Sequence, residues 1–151
     1  MFSIANQQLP GKNLDLQNAR EIDDIFMRLQ NAVEPKTENS RKNLASKSRV
    51  FDEFSSQYKS FLRKIHSLDN LAEVVEFGRM LTDKLPLNPE PTEEQKESLM
   101  AETVEMVSQA RSTLTVFIDK RQEEIEALQK MINTANQMLE NPKILRTGEL
   151  Y

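Results

Sequence analysis

The sequence predicts an all-α protein, an elongated helical bundle, and three observations carry that prediction. Apolar residues recur at alternating intervals of three and four along most of the chain, which is the spacing of one face of an α-helix. Only three glycines, Gly11, Gly78 and Gly148, occur in 151 residues, too few for the turns of an all-β fold. Three prolines between residues 86 and 91 separate two stretches of equal length, 37–85 and 92–140. That is the layout of a long antiparallel αα-hairpin.

Residues 1–12 read as an irregular N-terminal tail closed by the turn pair Pro10 and Gly11. A first helix follows over 14–33, packed on the hairpin. Ala19, Ile22, Phe26, Leu29 and Val33 form its stripe, Leu16 and Ile25 widen it, and Asn13 or Asp15 can cap it. Pro35 disfavours helical geometry at Glu34 and ends it.

The first hairpin arm begins near Lys36. Leu44, Phe51, Tyr58 and Ile65 recur every seven residues, with Phe54, Phe61 and Leu68 at the complementary position and Lys47 in the polar slot. This is a coiled-coil-like seam, and its aromatic rings require small residues opposite. The pattern continues through Leu71, Val74, Leu81 and Leu85, with Ser67–Asn70 as a kink or a restart. Gly78 lies on that stripe, where glycine costs a helix about 1 kcal/mol against alanine; a close backbone approach is expected there.

Thr92 opens the second arm, because Thr92, Glu93, Glu94 and Gln95 match a capping box. The seam then runs through Met100, Val104, Val107, Leu114, Ile118, Ile125, Leu128, Ile132, Ala135 and Leu139, interrupted by Arg111 and Arg121. Thr103, Met106, Ala110, Thr113 and Phe117 flank its first half. Pro142 ends the helix, which at 1.5 Å per residue would be roughly 70 Å long. The β-branched stretch Ser112–Val116 is a candidate break. The organisation is thus a tail (1–12), one helical domain (13–140) and a C-terminal tail (141–151). In the hairpin, Phe51–Phe61 would face Ile118–Leu128. The competing architecture is a compact four-helix bundle, broken near Ser67 and Thr113.

Composition narrows function. Net charge is −4, too mild for a dedicated nucleic-acid binder. With no cysteine there is no disulfide framework, zinc–thiolate site or cysteine nucleophile. The glycines cannot build a phosphate cradle. No apolar run reaches membrane-spanning length and the start lacks a signal-peptide pattern, so the expected location is the cytoplasm. His66 is the sole histidine and residue 63 is arginine, so neither a paired Glu-x-x-His metal site nor a serine triad is expected. The glutamates of the second arm lack calcium-loop spacing and read as a solvated face. No enzyme, metal, cofactor or small-molecule substrate is predicted.

Charge is uneven. Asp69–Glu105 carries ten acids against three bases, net −7, which leaves net +3 elsewhere. Lys36, Arg41, Lys42, Lys47 and Arg49 make a basic segment. Docking through opposite ends, nucleic-acid contact at 41–49 and plain solubility are the three readings.

The predicted role is a non-catalytic structural or scaffold subunit of a larger assembly, acting through coiled-coil-like packing on copies of itself or on other proteins. The alternative is a chaperone or adaptor that binds a client helix in a methionine-lined groove. In outline the hairpin resembles helical-hairpin proteins used as export chaperones and as virion or secretion-machine components. Candidate partner-binding residues are Arg111, Arg121, Ile125, Leu128, Ile132 and Leu139, with Ile144, Leu145 and Tyr151 of the tail. Arginine in an apolar seam can fix register, or lay its stem along the seam and its head in water.

Overall fold

The computed structural model describes residues 2–36 and 48–140, with side chains from Gln8 onward. Its four elements are α1 (Phe2–Val33), α2 (Arg49–Ser67), α3 (Leu71–Asp83) and α4 (Glu93–Glu140). No strand occurs among the described residues, and the all-α helical bundle is as the sequence predicts. The chain forms two compact units, residues 18–116 and residues 1–17 with 117–151. Both α1 and α4 contribute to each.

In the 18–116 unit, successive helices reverse direction. Lys59 pairs with Glu102 and His66 meets Thr113, so α2 and α4 run in the same sense. Lys84 bonds Gln57 and Lys64 lies over Phe77, so α3 runs against α2. The Lys36 N–H donates to Glu93 and Arg111 reaches Gln30, so α1 runs against α4. This is the up-down-up-down arrangement of a four-helix bundle.

The first arm is therefore not one helix over 48–85, and residues 37–47 lie outside the described residues. The reversal is made locally. Leu68 takes a left-handed backbone (φ 54°, ψ 25°) and its N–H donates to the Lys64 carbonyl, closing α2. Two residues on, the Asn70 side chain accepts from Glu73 N–H at 3.2 Å and caps α3. The expected pairing of Phe51–Phe61 with Ile118–Leu128 is overturned, because α2 lies along the first half of α4 instead. The break expected at Ser112–Val116 is not made; β-branching costs only tenths of a kcal/mol, and buried Ala110 and Leu114 hold that turn in the core.

The aromatic seam of α2 is the centre of this unit. Phe51, Phe54, Tyr58, Phe61 and Ile65 are all buried, whereas Leu68 leaves the seam as the left-handed cap. The rings of Phe54 and Tyr58 stack at 6.3 Å, and those of Phe61 and Phe77 at 6.4 Å. Small residues do stand among them: Ala19, Gly78, Thr103 and Ala110 are buried. That requirement corrects the face of α4. Its buried residues are Lys96, Leu99, Thr103, Ala110 and Leu114: Leu114 belongs to the expected seam and Thr103 and Ala110 to its flanking stripe, whereas Met100 and Val104 of the seam are exposed. Thr103 loses no hydrogen bond by burial, since its hydroxyl donates to the Leu99 carbonyl at 2.7 Å.

The α3–α4 connection carries two cis peptides, at Leu85–Pro86 and Asn88–Pro89. The capping box is formed as expected: Thr92 N–H donates to Gln95 Oε1 at 2.9 Å, and Gln95 N–H to Thr92 Oγ1 at 3.1 Å.

The other unit is a helix pair, α1 up to Gln17 and α4 from Phe117. The irregular tail expected over 1–12 is replaced by helix from Phe2, with Pro10 inside it. Proline costs a helix interior about 3 kcal/mol, yet here pairing with α4 prevails over local punctuation. Lys12 bonds Glu124 and Asp15 pairs with Arg121, which also makes this pair antiparallel. None of the described side chains in this unit is buried.

Candidate partner-binding face

The apolar seam read from the sequence along α4 is real as a pattern, but the fold buries only Leu114 of it: Met100, Val104 and Leu139 are exposed and the rest half-buried. In the 18–116 unit Met100 is 49% exposed and Val104 62%, with Val107 half-buried beside them. Met27 of α1, 48% exposed, faces the same groove. The groove has a volume of about 420 Å³ between α1 and α4, with Tyr58 and Thr103 at its base and Arg111 at its edge.

Arg111 is held within its own chain. Its guanidinium carbon lies 5.4 Å from the centre of the Phe26 ring, and the head donates to the Gln30 side chain. Burial pushes the Tyr58 phenol above its ordinary range, and the Arg111 charge pulls it part of the way back. The Tyr58 ring is thus core, with a hydroxyl that stays protonated.

In the helix-pair unit Ile125, Leu128 and Ile132 are half-buried, while Met131 is 60% exposed and Leu139 66%. Arg121 is again tied locally. Its Nη1 donates to Glu124 at 2.6 Å, its Nε stands 3.5 Å from Asp15 in an ion pair without a hydrogen bond, and its head covers the Phe117 ring at 4.8 Å. Both candidate arginines therefore hold their heads over aromatic rings of the same chain. Ile144, Leu145 and Tyr151 lie outside the described residues, as does most of the basic segment at 36–49.

Two residues were missed in the sequence. Met27 follows the stripe residue Phe26 and lies outside that stripe. Lys96 is 4% exposed, in the core stripe of α4. Its signal was present: it stands three before Leu99 and seven before Thr103.

His66 is exposed, its Nδ1 2.9 Å from Thr113 Oγ1. Among the described residues no three histidines or carboxylates come together as metal ligands would. No helix there is long and apolar enough to cross a membrane. Comparison with known protein families, with curated proteins and with solved structures finds no match.

Proposed function

We propose that the protein is a non-catalytic structural subunit of a larger protein assembly, and that the first partner of its α4 seam is a second copy of the same chain. The observation that carries this reading is the uncovered seam: in the helix-pair unit no described side chain is buried, although Ile125, Leu128, Met131, Ile132 and Leu139 recur at helical spacing. Two helices expose too much apolar surface to be stable alone. Two such pairs supply four helices, the number that encloses a core.

Charge on α4 suits a two-fold arrangement. Antiparallel self-pairing about Leu128 would set Glu126 of each copy beside Lys130 of the other, and Ile125 beside Met131. The test is light scattering on the full chain over a range of concentrations, with a Met131→Lys, Leu139→Lys double variant beside the wild type. A dimer or larger defined oligomer that the double variant breaks is expected. A wild-type chain that remains a monomer throughout sinks the reading.

The methionines of the α1–α4 groove favour one second reading, an adaptor or chaperone that holds a client helix. Methionine adapts its shape to varied apolar partners. That reading predicts that amides around Met100–Val107 gain protection from hydrogen exchange only when a client is bound.

A further inference from the structure

The cavity beneath the α3–α4 turn is lined by a lysine that none of the described residues pairs with. Lys96 is 4% exposed and lines a space of about 720 Å³ together with Asn31, Lys36, Leu85, Leu87 and Glu90. Among the described residues, none makes a hydrogen bond or an ion pair with its ammonium. The stem of Lys96 is buried, while its ammonium keeps access to water. Its place in the stripe Lys96, Leu99, Thr103, Ala110 and Leu114 is one where leucine or methionine would serve if packing were the whole purpose.

The rest of the lining has the character of a binding site. Lys36 brings a second positive charge, with its backbone N–H already engaged by Glu93 at 2.9 Å. Glu90 is the single acid among the described residues of the lining, and it is exposed. Leu85, Leu87 and Pro91 supply apolar wall. A space of this size is in the range of ligand pockets, about 300–1,000 Å³, and a lone inorganic oxyanion would fill little of it.

We propose that this cavity binds a carboxylate presented beside an apolar side chain, as in an acidic peptide segment of a partner protein. Lys96 is the residue that pairs with the carboxylate, and Lys36 strengthens the field at the rim. The choice of a peptide rests on the assembly reading above; the ion-pairing role of Lys96 does not.

The experiment titrates the full-length chain with Ac-Leu-Glu-Leu-amide, with its neutral counterpart Ac-Leu-Gln-Leu-amide and with inorganic phosphate. Amide shifts of Leu85, Leu87, Asn88 and Lys96 are the readout, and mass is measured in the same samples. The glutamate peptide is expected to saturate, with the glutamine peptide at least about tenfold weaker and Lys96→Met losing at least about tenfold. Lys36→Gln is expected to lose only about two- to threefold, as a rim charge does. Lys96→Met keeps the stem, and Lys96→Gln repeats the measurement should methionine alter the helical circular dichroism. No saturation by the glutamate peptide, equal binding of the two peptides, or wild-type affinity in the Lys96 variants overturns the site. Saturation by phosphate with neither peptide bound overturns the peptide assignment. A dimer that persists without peptide binding removes this proposal and leaves the assembly reading standing; peptide binding by a strict monomer does the reverse.

Discussion

Gly78 of α3 lies so close to Phe61 of α2 that a Cβ placed on the glycine would stand 2.8 Å from the ring's Cε1 and 2.7 Å from Ile25 Cγ2. Three helices converge at this point, and neither neighbour can withdraw: Phe61 is 0% exposed and Ile25 6%. Gly78→Ala gains about 1 kcal/mol of helix propensity and forces repacking that costs typically 1–3 kcal/mol. The expected net effect is a loss of about 1 kcal/mol in urea unfolding. A variant as stable as wild type would mean that the helices part without cost.

Much of this architecture was legible in the sequence. The seven-residue recurrence of Phe51, Tyr58 and Ile65 with Phe54 and Phe61 identified the core of α2, and the placement of Gly78 on an apolar stripe foretold a close approach. The Thr92–Gln95 box marked the start of α4. What misled was the equal length of the two stretches flanking the prolines. Equal lengths say nothing about a single residue such as Leu68, whose left-handed backbone turns one arm into two antiparallel helices. Leucine carries no sequence signature for that conformation, as glycine would. The face of α4 was misread for a related reason. Its helix is apolar on two adjacent stripes, and the aromatic bulk of α2 selects the one with Thr103 and Ala110. Of the candidate site, the α4 seam was visible, but the burial of Lys96 was not, because a lysine's charge ordinarily keeps its head at the surface.

The Thr92 cap gives a second prediction. Thr92 and Gln95 each satisfy the other's backbone N–H, so two orphan donors at the start of α4 depend on one side-chain pair. Thr92→Ala should lose about 1 kcal/mol and lower the melting temperature by about 2–4 °C. Thr92→Ser should retain most of the stability. Equal losses in the two variants would place the effect outside the cap.

Arg111 is expected to act within the chain and not between chains. Its head is engaged by Phe26 and Gln30. Arg111→Ala should therefore cost about 0.5–1 kcal/mol, the value of an exposed cation–π contact, and leave the mass in solution unchanged. Arg111→Lys should recover only part of the loss, since an ammonium lacks the planar face that stacks on the ring. A change of oligomeric state in Arg111→Ala would instead make this residue a register-fixing element of an interface.

The pH response of the helix-pair unit should centre on Glu124. Its carboxyl is held below the usual carboxylate range, first by the hydrogen bond from Lys12 and then by that from Arg121. A lowered value in the folded state means that the unfolded chain binds the proton more readily. The contribution is therefore complete above the ordinary carboxylate range, and it fades as the pH falls through the lower folded value. Carbon-detected titration of the Glu124 side chain should give a midpoint below the ordinary glutamate range. Glu124→Gln should narrow its stability difference from wild type as the solution is acidified, because a protonated Glu124 and a glutamine are then both neutral toward Lys12 and Arg121. Removing Lys12 by Lys12→Met should raise the Glu124 midpoint more than Arg121→Met does, in the order of the two hydrogen bonds. A Glu124 midpoint within the ordinary glutamate range would show that the ion pairs among Lys12, Glu124 and Arg121 do not persist in solution.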